Sequence, residues 1–100
     1  MESLFVYGTL RDPQVQANVF GRVVQGQADT LDGYRKAEIT IGGSVYPIAV
    51  ADPMRDQSIA GQVLEVTPAE LVDIDRYEGD EYRRVRVRLR SGLEAWVYCK

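Results

Sequence analysis

Among the 100 residues of this chain there is no histidine, so the side chain that most often moves protons near neutral pH is missing. A serine or cysteine nucleophile activated by histidine is thereby excluded, and so is a zinc site of the usual Cys/His type. Gly43-Ser44 lies in Ile41-Gly-Gly-Ser-Val45 without the second glycine of a nucleophile elbow. Neither a phosphate-binding loop nor a G-x-G-x-x-G fingerprint occurs. Acid–base chemistry therefore falls to a carboxylate, a tyrosine, Lys36 or Lys100, or Cys99, the only cysteine.

Among the carboxylates, Glu78 stands apart. A helix over 68–78, drawn at about 100° per residue, has Leu71 and Ile74 on its inward stripe. Glu78 follows them by seven and four residues and falls on the same stripe. Asp73 points the opposite way, Glu70 belongs to the helix cap, and Asp75 lies near the edge of the inward face. An inward carboxylate at the last helical turn is poorly solvated and sits at the unfavourable end of the helix dipole. Both effects raise its pKa toward the range of a general base working near neutrality. The plainer reading is that Glu78 turns outward at the helix end or pairs with an arginine such as Arg83.

Tyr7-Gly8-Thr9-Leu10 is the second feature. An apolar run stops at a glycine just before a helix start, so backbone N–H groups there are available to a carboxylate or an oxyanion. A tight strand-to-helix turn accounts for the same residues. Six tyrosines, at 7, 34, 46, 77, 82 and 98, have the apolar body and polar tip suited to pocket walls. Arg84, Arg86, Arg88 and Arg90 alternate along one strand face that Trp96 joins, a pattern compatible with single-stranded nucleic acid. The net charge of −3 and a pI near 4.9 favour a solvated face balanced by acids instead. Nucleic-acid and membrane partners are therefore not expected.

The elements that must position these groups follow from pattern. Leu4–Tyr7 reads as a buried strand. Asp12-Pro13 opens a helix with Val15, Val19 and Phe20 inward and Gly21 as its stop. Lys36–Ile41 and Tyr46–Ala51 read as strands flanking Gly42-Gly43, and Ile59–Val66 as another, with Gly61 a candidate bulge. Thr67-Pro68-Ala69-Glu70 is a capping box opening the Glu78 helix, which Gly79 ends. Arg84–Arg90 and Leu93–Cys99 form a hairpin. A three-residue loop 90–92 sets Leu89 opposite Leu93, Val87 opposite Ala95, Val85 opposite Val97, Arg88 opposite Glu94 and Arg86 opposite Trp96. The expected fold is one α+β domain over 1–100, a small mixed β-barrel of about five to seven short strands with two short helices. No stretch approaches the about 18 apolar residues of a membrane span, and the start lacks the marks of a signal peptide. With a lone cysteine, a cytoplasmic setting is the simplest expectation.

Taken in order, the motifs resemble those of the gamma-glutamylcyclotransferase-like family, which includes gamma-glutamylamine cyclotransferase and the plant avirulence-induced proteins. Leu4-Phe-Val-Tyr-Gly-Thr-Leu-Arg11 is similar to its N-terminal motif. Leu31-Asp-Gly-Tyr-Arg35 and Tyr46-Pro47 match its next landmarks, and Gly61 with Val63 fits the strand that follows. Asp75-Arg-Tyr-Glu-Gly79 with Tyr82-Arg83 matches the segment bearing its catalytic glutamate, and Ala95-Trp-Val-Tyr98 its closing strand. The resemblance spans nearly the whole chain. It implies a gamma-glutamyl amide as substrate, converted to 5-oxoproline and a free amine without metal or cofactor. It implies Glu78 as proton acceptor and the backbone of Tyr7, Gly8, Thr9 and Leu10 as the glutamyl site, with Tyr34, Tyr82 and Tyr98 near the pocket. A non-catalytic module of the same fold that binds a small metabolite remains the alternative.

Overall fold

The structure, a computed structural model, describes residues 1–100. Seven strands and two α-helices follow in the order β1 (Glu2–Val6), α1 (Pro13–Phe20), β2 (Gln27–Asp32), β3 (Tyr34–Ile41), β4 (Ser44–Ala51), β5 (Ser58–Val66), α2 (Pro68–Glu78), β6 (Arg83–Arg88) and β7 (Glu94–Cys99), with a 3₁₀ turn at Thr9–Arg11. The strands form one mixed sheet in the order β2-β5-β1-β7-β4-β3, and β6 pairs with β7 off this path. The sheet curls on itself into a half-barrel. β3, at one end of the path, reaches β5 near the other, and the β6–β7 loop bonds to β2, Arg90 N–H donating to the Thr30 carbonyl at 2.8 Å.

β1 is central, antiparallel to β5 and parallel to β7. A strand flanked on both edges and covered on both faces must be apolar throughout, and Leu4, Phe5 and Val6 are all buried. Alternate residues divide the core in two. Phe5 and Tyr7 join Ala95, Val97 and Cys99 inside the curl. Leu4 and Val6 join Tyr98 beneath the two helices, where Leu71, Ile74 and Phe20 pack. Each fully buried aliphatic side chain of this kind contributes about 1.5–3 kcal/mol.

The β6–β7 register is the one expected, from Arg88↔Glu94 through Val85↔Val97, and Leu89 N–H bonds to the Leu93 carbonyl at 2.8 Å. β6 itself ends at Arg88, however. Arg90 lies in the turn, where its guanidinium grips Asp32 at 2.7 Å instead of extending the arginine face. Gly61 is not a bulge either. The pairings Val6↔Gln62 and Asp29↔Gly61 run through it unbroken. A Cβ there would stand 2.4 Å from the Val6 carbonyl oxygen, so glycine serves close strand approach.

No helix of the chain is long and apolar enough to cross a membrane.

Candidate active site

The pocket arises from the way β7 shares one of its edges. β6 occupies the whole of one edge. On the other, β1 pairs at Leu4↔Trp96 and Phe5↔Val97, and β4 then takes over at Ala49↔Cys99. Where β1 departs, Tyr7–Leu10 turns away over Pro47 of β4, close enough that a Cβ on Gly8 would come within 3.1 Å of the proline ring. The space left between them holds a cavity of about 180 Å³, closed from the helical side by the end of α2. Phe5, Val6, Tyr7, Leu10 and Tyr98 form its buried depth, and Thr9, Ile41, Tyr46, Pro47 and Tyr77 its mouth.

Glu78 is the only ionisable carboxylate on the wall. The capping box forms in full: Thr67 Oγ1 accepts from Glu70 N–H at 3.1 Å, and Glu70 Oε1 accepts from Thr67 N–H at 2.8 Å. Glu70 also holds Arg22, which keeps its carboxyl well below the usual range, at about 2. With its start tied down and Leu71 and Ile74 buried, the helix delivers Glu78 at its final position. Gly79 then turns the chain away with φ 73° and ψ −167°, a conformation essentially restricted to glycine. Burial pushes the Glu78 carboxyl up to about 7. Neither a hydrogen bond nor an ion pair opposes that shift; Arg83, the alternative partner, bonds to the Lys100 carbonyl.

Five tyrosines share the cavity with this carboxylate, and the hydroxyl protons of Tyr7, Tyr82 and Tyr98 are already engaged. Tyr7 donates to the Tyr98 carbonyl at 2.6 Å and accepts from Ala49 N–H at 2.9 Å, tying the three strands at the fork together. Tyr82 donates to the Pro47 carbonyl at 2.8 Å, and Tyr98 to Asp75 Oδ1 at 2.6 Å. Burial, with the nearby Glu78 charge adding to it, raises the pKa of all three, that of Tyr82 to about 12. At the mouth the Tyr77 and Thr9 hydroxyls share a hydrogen bond of 2.8 Å, linking α2 to the 3₁₀ turn.

On the same cavity, the 3₁₀ turn opens with Gly8, Thr9 and Leu10. Its backbone bonds run from Arg11 N–H to Gly8 and from Asp12 N–H to Thr9, so the three preceding N–H groups are the unpaired donors of a helix start. Gln16, buried on α1, fixes this turn from behind: its amide donates to the Leu10 carbonyl and accepts from Val24 N–H, both at 2.8 Å. The pocket thus brings Glu78 and the tyrosines together with the backbone of Gly8–Leu10.

Of the residues singled out from sequence, Tyr7, Gly8, Thr9, Leu10, Glu78, Tyr82 and Tyr98 meet in this one cavity. Tyr34 does not. It starts β3 opposite Ala51, whereas Ile41 at the far end of the same strand reaches the pocket, roughly 20 Å further along. Tyr34 instead packs against the cluster inside the curl. Tyr46, Pro47 and Tyr77 line the mouth without having been assigned there. Their signals were present in the Tyr46-Pro47 landmark and in the position of Tyr77 beside Glu78. Gln16 carried no signal, since a glutamine on a helix is ordinarily exposed.

Comparison with known proteins identifies the family. The family model described as gamma-glutamyl cyclotransferase, AIG2-like, matches residues 4–100. AIG2-like protein A of Arabidopsis thaliana is 35% identical over 88 residues, which are 87% of this chain and 51% of that protein. AIG2-like protein D of the same plant is 33% identical over 90 residues, covering 89% of this chain and 57% of the relative. The chain therefore spans about half the length of these curated relatives. A solution structure of an Arabidopsis thaliana protein superposes with a TM-score of 0.82 at 28% identity, over 98% of this chain and 61% of that one. A crystal structure from Pyrococcus horikoshii shares the fold with a TM-score of 0.72 at 22% identity, over 99% of this chain and 77% of that one. With its pocket at the fork of the sheet and its motifs in order along the chain, this protein belongs to the gamma-glutamyl cyclotransferase, AIG2-like family.

Proposed function

We propose that this protein is a cofactor-independent gamma-glutamyl cyclotransferase that converts a gamma-glutamyl amide into 5-oxoproline and a free amine. The observation that carries the reading is the half-buried, unpartnered Glu78 lining one small cavity together with Gly8, Thr9 and Leu10. The substrate's α-ammonium must lose a proton before it can attack, and a carboxylate titrating at about 7 is matched to that task. The freed amine forms a C–N bond to the γ-carbonyl carbon of the same molecule, closing a five-membered ring. The resulting oxyanion is stabilised by backbone N–H donors of the 3₁₀ turn. The ring nitrogen, still carrying two protons after the attack, gives one up to solvent; collapse of the tetrahedral intermediate then breaks the original amide C–N bond as Glu78 returns its proton to the departing amine. Because the nucleophile is tethered, the site needs chiefly to fold the substrate into an attacking conformation. The glutamyl part fits the depth of the cavity, which leaves the amine half at the mouth beside Tyr46 and Tyr77. A lone, buried Cys99 suits a cytoplasmic setting.

The test is release of 5-oxoproline from a panel of gamma-glutamyl amides by the wild type and Glu78→Gln. Turnover that falls by about a hundredfold or more in the variant is expected. A wild type inert across the panel would overturn the enzyme reading in favour of a metabolite-binding pocket. Turnover that survives the substitution would remove Glu78 as the base.

A further inference from the structure

Every tyrosine hydroxyl in the depth of the pocket has given its proton to a group that can only accept. For Tyr7 and Tyr82 that group is a backbone carbonyl, part of the sheet itself. For Tyr98 it is a side chain, Asp75, which does not line the pocket and plays no part in the proposed reaction. Asp75 is held in turn by a fork of Arg84, Nε to Oδ1 at 2.9 Å and Nη2 to Oδ2 at 3.1 Å. A guanidinium has only donors, so Asp75 keeps both oxygens as acceptors and cannot return a proton to Tyr98. The Arg84 guanidinium lies 4.2 Å over the Trp96 ring, whose Nε1–H is fixed by Glu2 at 2.8 Å.

We propose that Asp75 is a positioning residue that draws the Tyr98 hydroxyl proton out of the pocket, so that Tyr98 presents only an oxygen lone pair to the space around Glu78. The titratable and charged groups facing Glu78 are few. They are Tyr7 at the end of β1, Tyr46 on β4, Tyr82 after α2, Tyr98 on β7, and Tyr77 and Asp75 on α2 itself; Arg84 of β6 meets Asp75 and stops there. None of them donates a hydrogen bond to the Glu78 carboxylate, and burial alone sets its titration. A donor released into this space would stabilise the charged form and weaken the base. Asp75 sits three residues before Glu78, so the same ion pair that diverts the proton also pins the last turn of α2 to the sheet. The consequence for catalysis rests on the proposed role of Glu78, whereas the hydrogen-bond geometry and its titration do not.

The experiment follows the Glu78 carboxyl by carbon-13 NMR from about pH 4 to 9 in the wild type, Asp75→Ala, Tyr98→Phe and the double variant. Asp75→Ala is expected to lower the midpoint by about one pH unit, the scale of one strong hydrogen bond to a carboxylate. Tyr98→Phe is expected to titrate close to wild type, and the double variant like Tyr98→Phe, because the effect passes through the tyrosine. Where turnover occurs, the acid limb of kcat/KM moves down with the midpoint in Asp75→Ala. Asp75→Ser, too short to span both partners, replaces the alanine variant if that one does not fold. An unmoved midpoint would overturn the proposal. So would a fall that persists in the Tyr98→Phe background, which would mark direct charge repulsion instead. A wild type without cyclotransferase activity leaves this titration readable, so failure of the enzyme reading and failure of the Asp75 role are separate results.

Discussion

A carboxylate drawn out of water weakens the fold that holds it. Below about pH 4.5, the ordinary value for the group, Glu78 is protonated whether the chain is folded or not. Between 4.5 and about 7 the unfolded chain releases that proton while the folded chain retains it. The unfolded state then binds fewer protons, so stability declines as pH rises through this window. Glu78→Gln is therefore expected to be more stable than wild type by roughly 1–3 kcal/mol at about pH 8 and equal to it near pH 4. Urea unfolding at the two pH values checks this; equal stability at both would mean that the carboxylate is solvated. That Glu78 points inward was legible from helical spacing alone. The partners of Asp75 were not, because Tyr98 lies 23 residues further on and meets it only through the β7 fork.

At the level of elements, the most exacting constraint is the crossing of β1 and β5 at Gly61. A methyl group there meets the Val6 carbonyl at 2.4 Å and the Phe5 ring at 2.7 Å, and backbone cannot yield as a flexible side chain would. Gly61→Ala is expected to cost about 1–3 kcal/mol, read as a lower urea midpoint. A cost below about 0.5 kcal/mol would show that β1 shifts freely. Because β1 leads directly into Tyr7–Leu10, its displacement also loosens that side of the pocket. Local signals identified most elements: the capping box of α2, Asp12 at the start of α1, and a β6–β7 register in which a one-residue slip would reverse both faces. β2 was harder to see, since it is an edge strand whose single buried residue is Leu31. Gly61 was misjudged as a bulge because a glycine that avoids a clash and one that breaks a ladder look alike in one dimension.

Across the whole molecule, charge is spent on internal pairs. Arg84 is committed to Asp75, Arg90 to Asp32 and Arg22 to Glu70, and Arg86 joins Arg84 over Trp96. The net charge of −3 further disfavours a surface that neutralises phosphates. No electrophoretic shift of single-stranded nucleic acid is expected at about 0.15 M salt. A shift abolished by Trp96→Ala would reinstate the arginine face as a binding surface. The curling of the sheet was legible from strand count and the need to hide edges. The fork was not: β4 joins β7 through the one pairing Ala49↔Cys99, and no local pattern announces a single bridge.

That fork has a kinetic meaning. β1 gains its parallel neighbour only when β7 arrives, more than 90 residues later in the chain, since Leu4 pairs with Trp96. Closing so long a loop precedes the reward of the contacts it permits, which places such a topology among the slower-folding small proteins. During synthesis the β3–β4 hairpin and α2 can form early. The cavity has no floor until Tyr98 emerges, so Glu78 stays in water, with an ordinary acidity, from its own synthesis until β7 is in place.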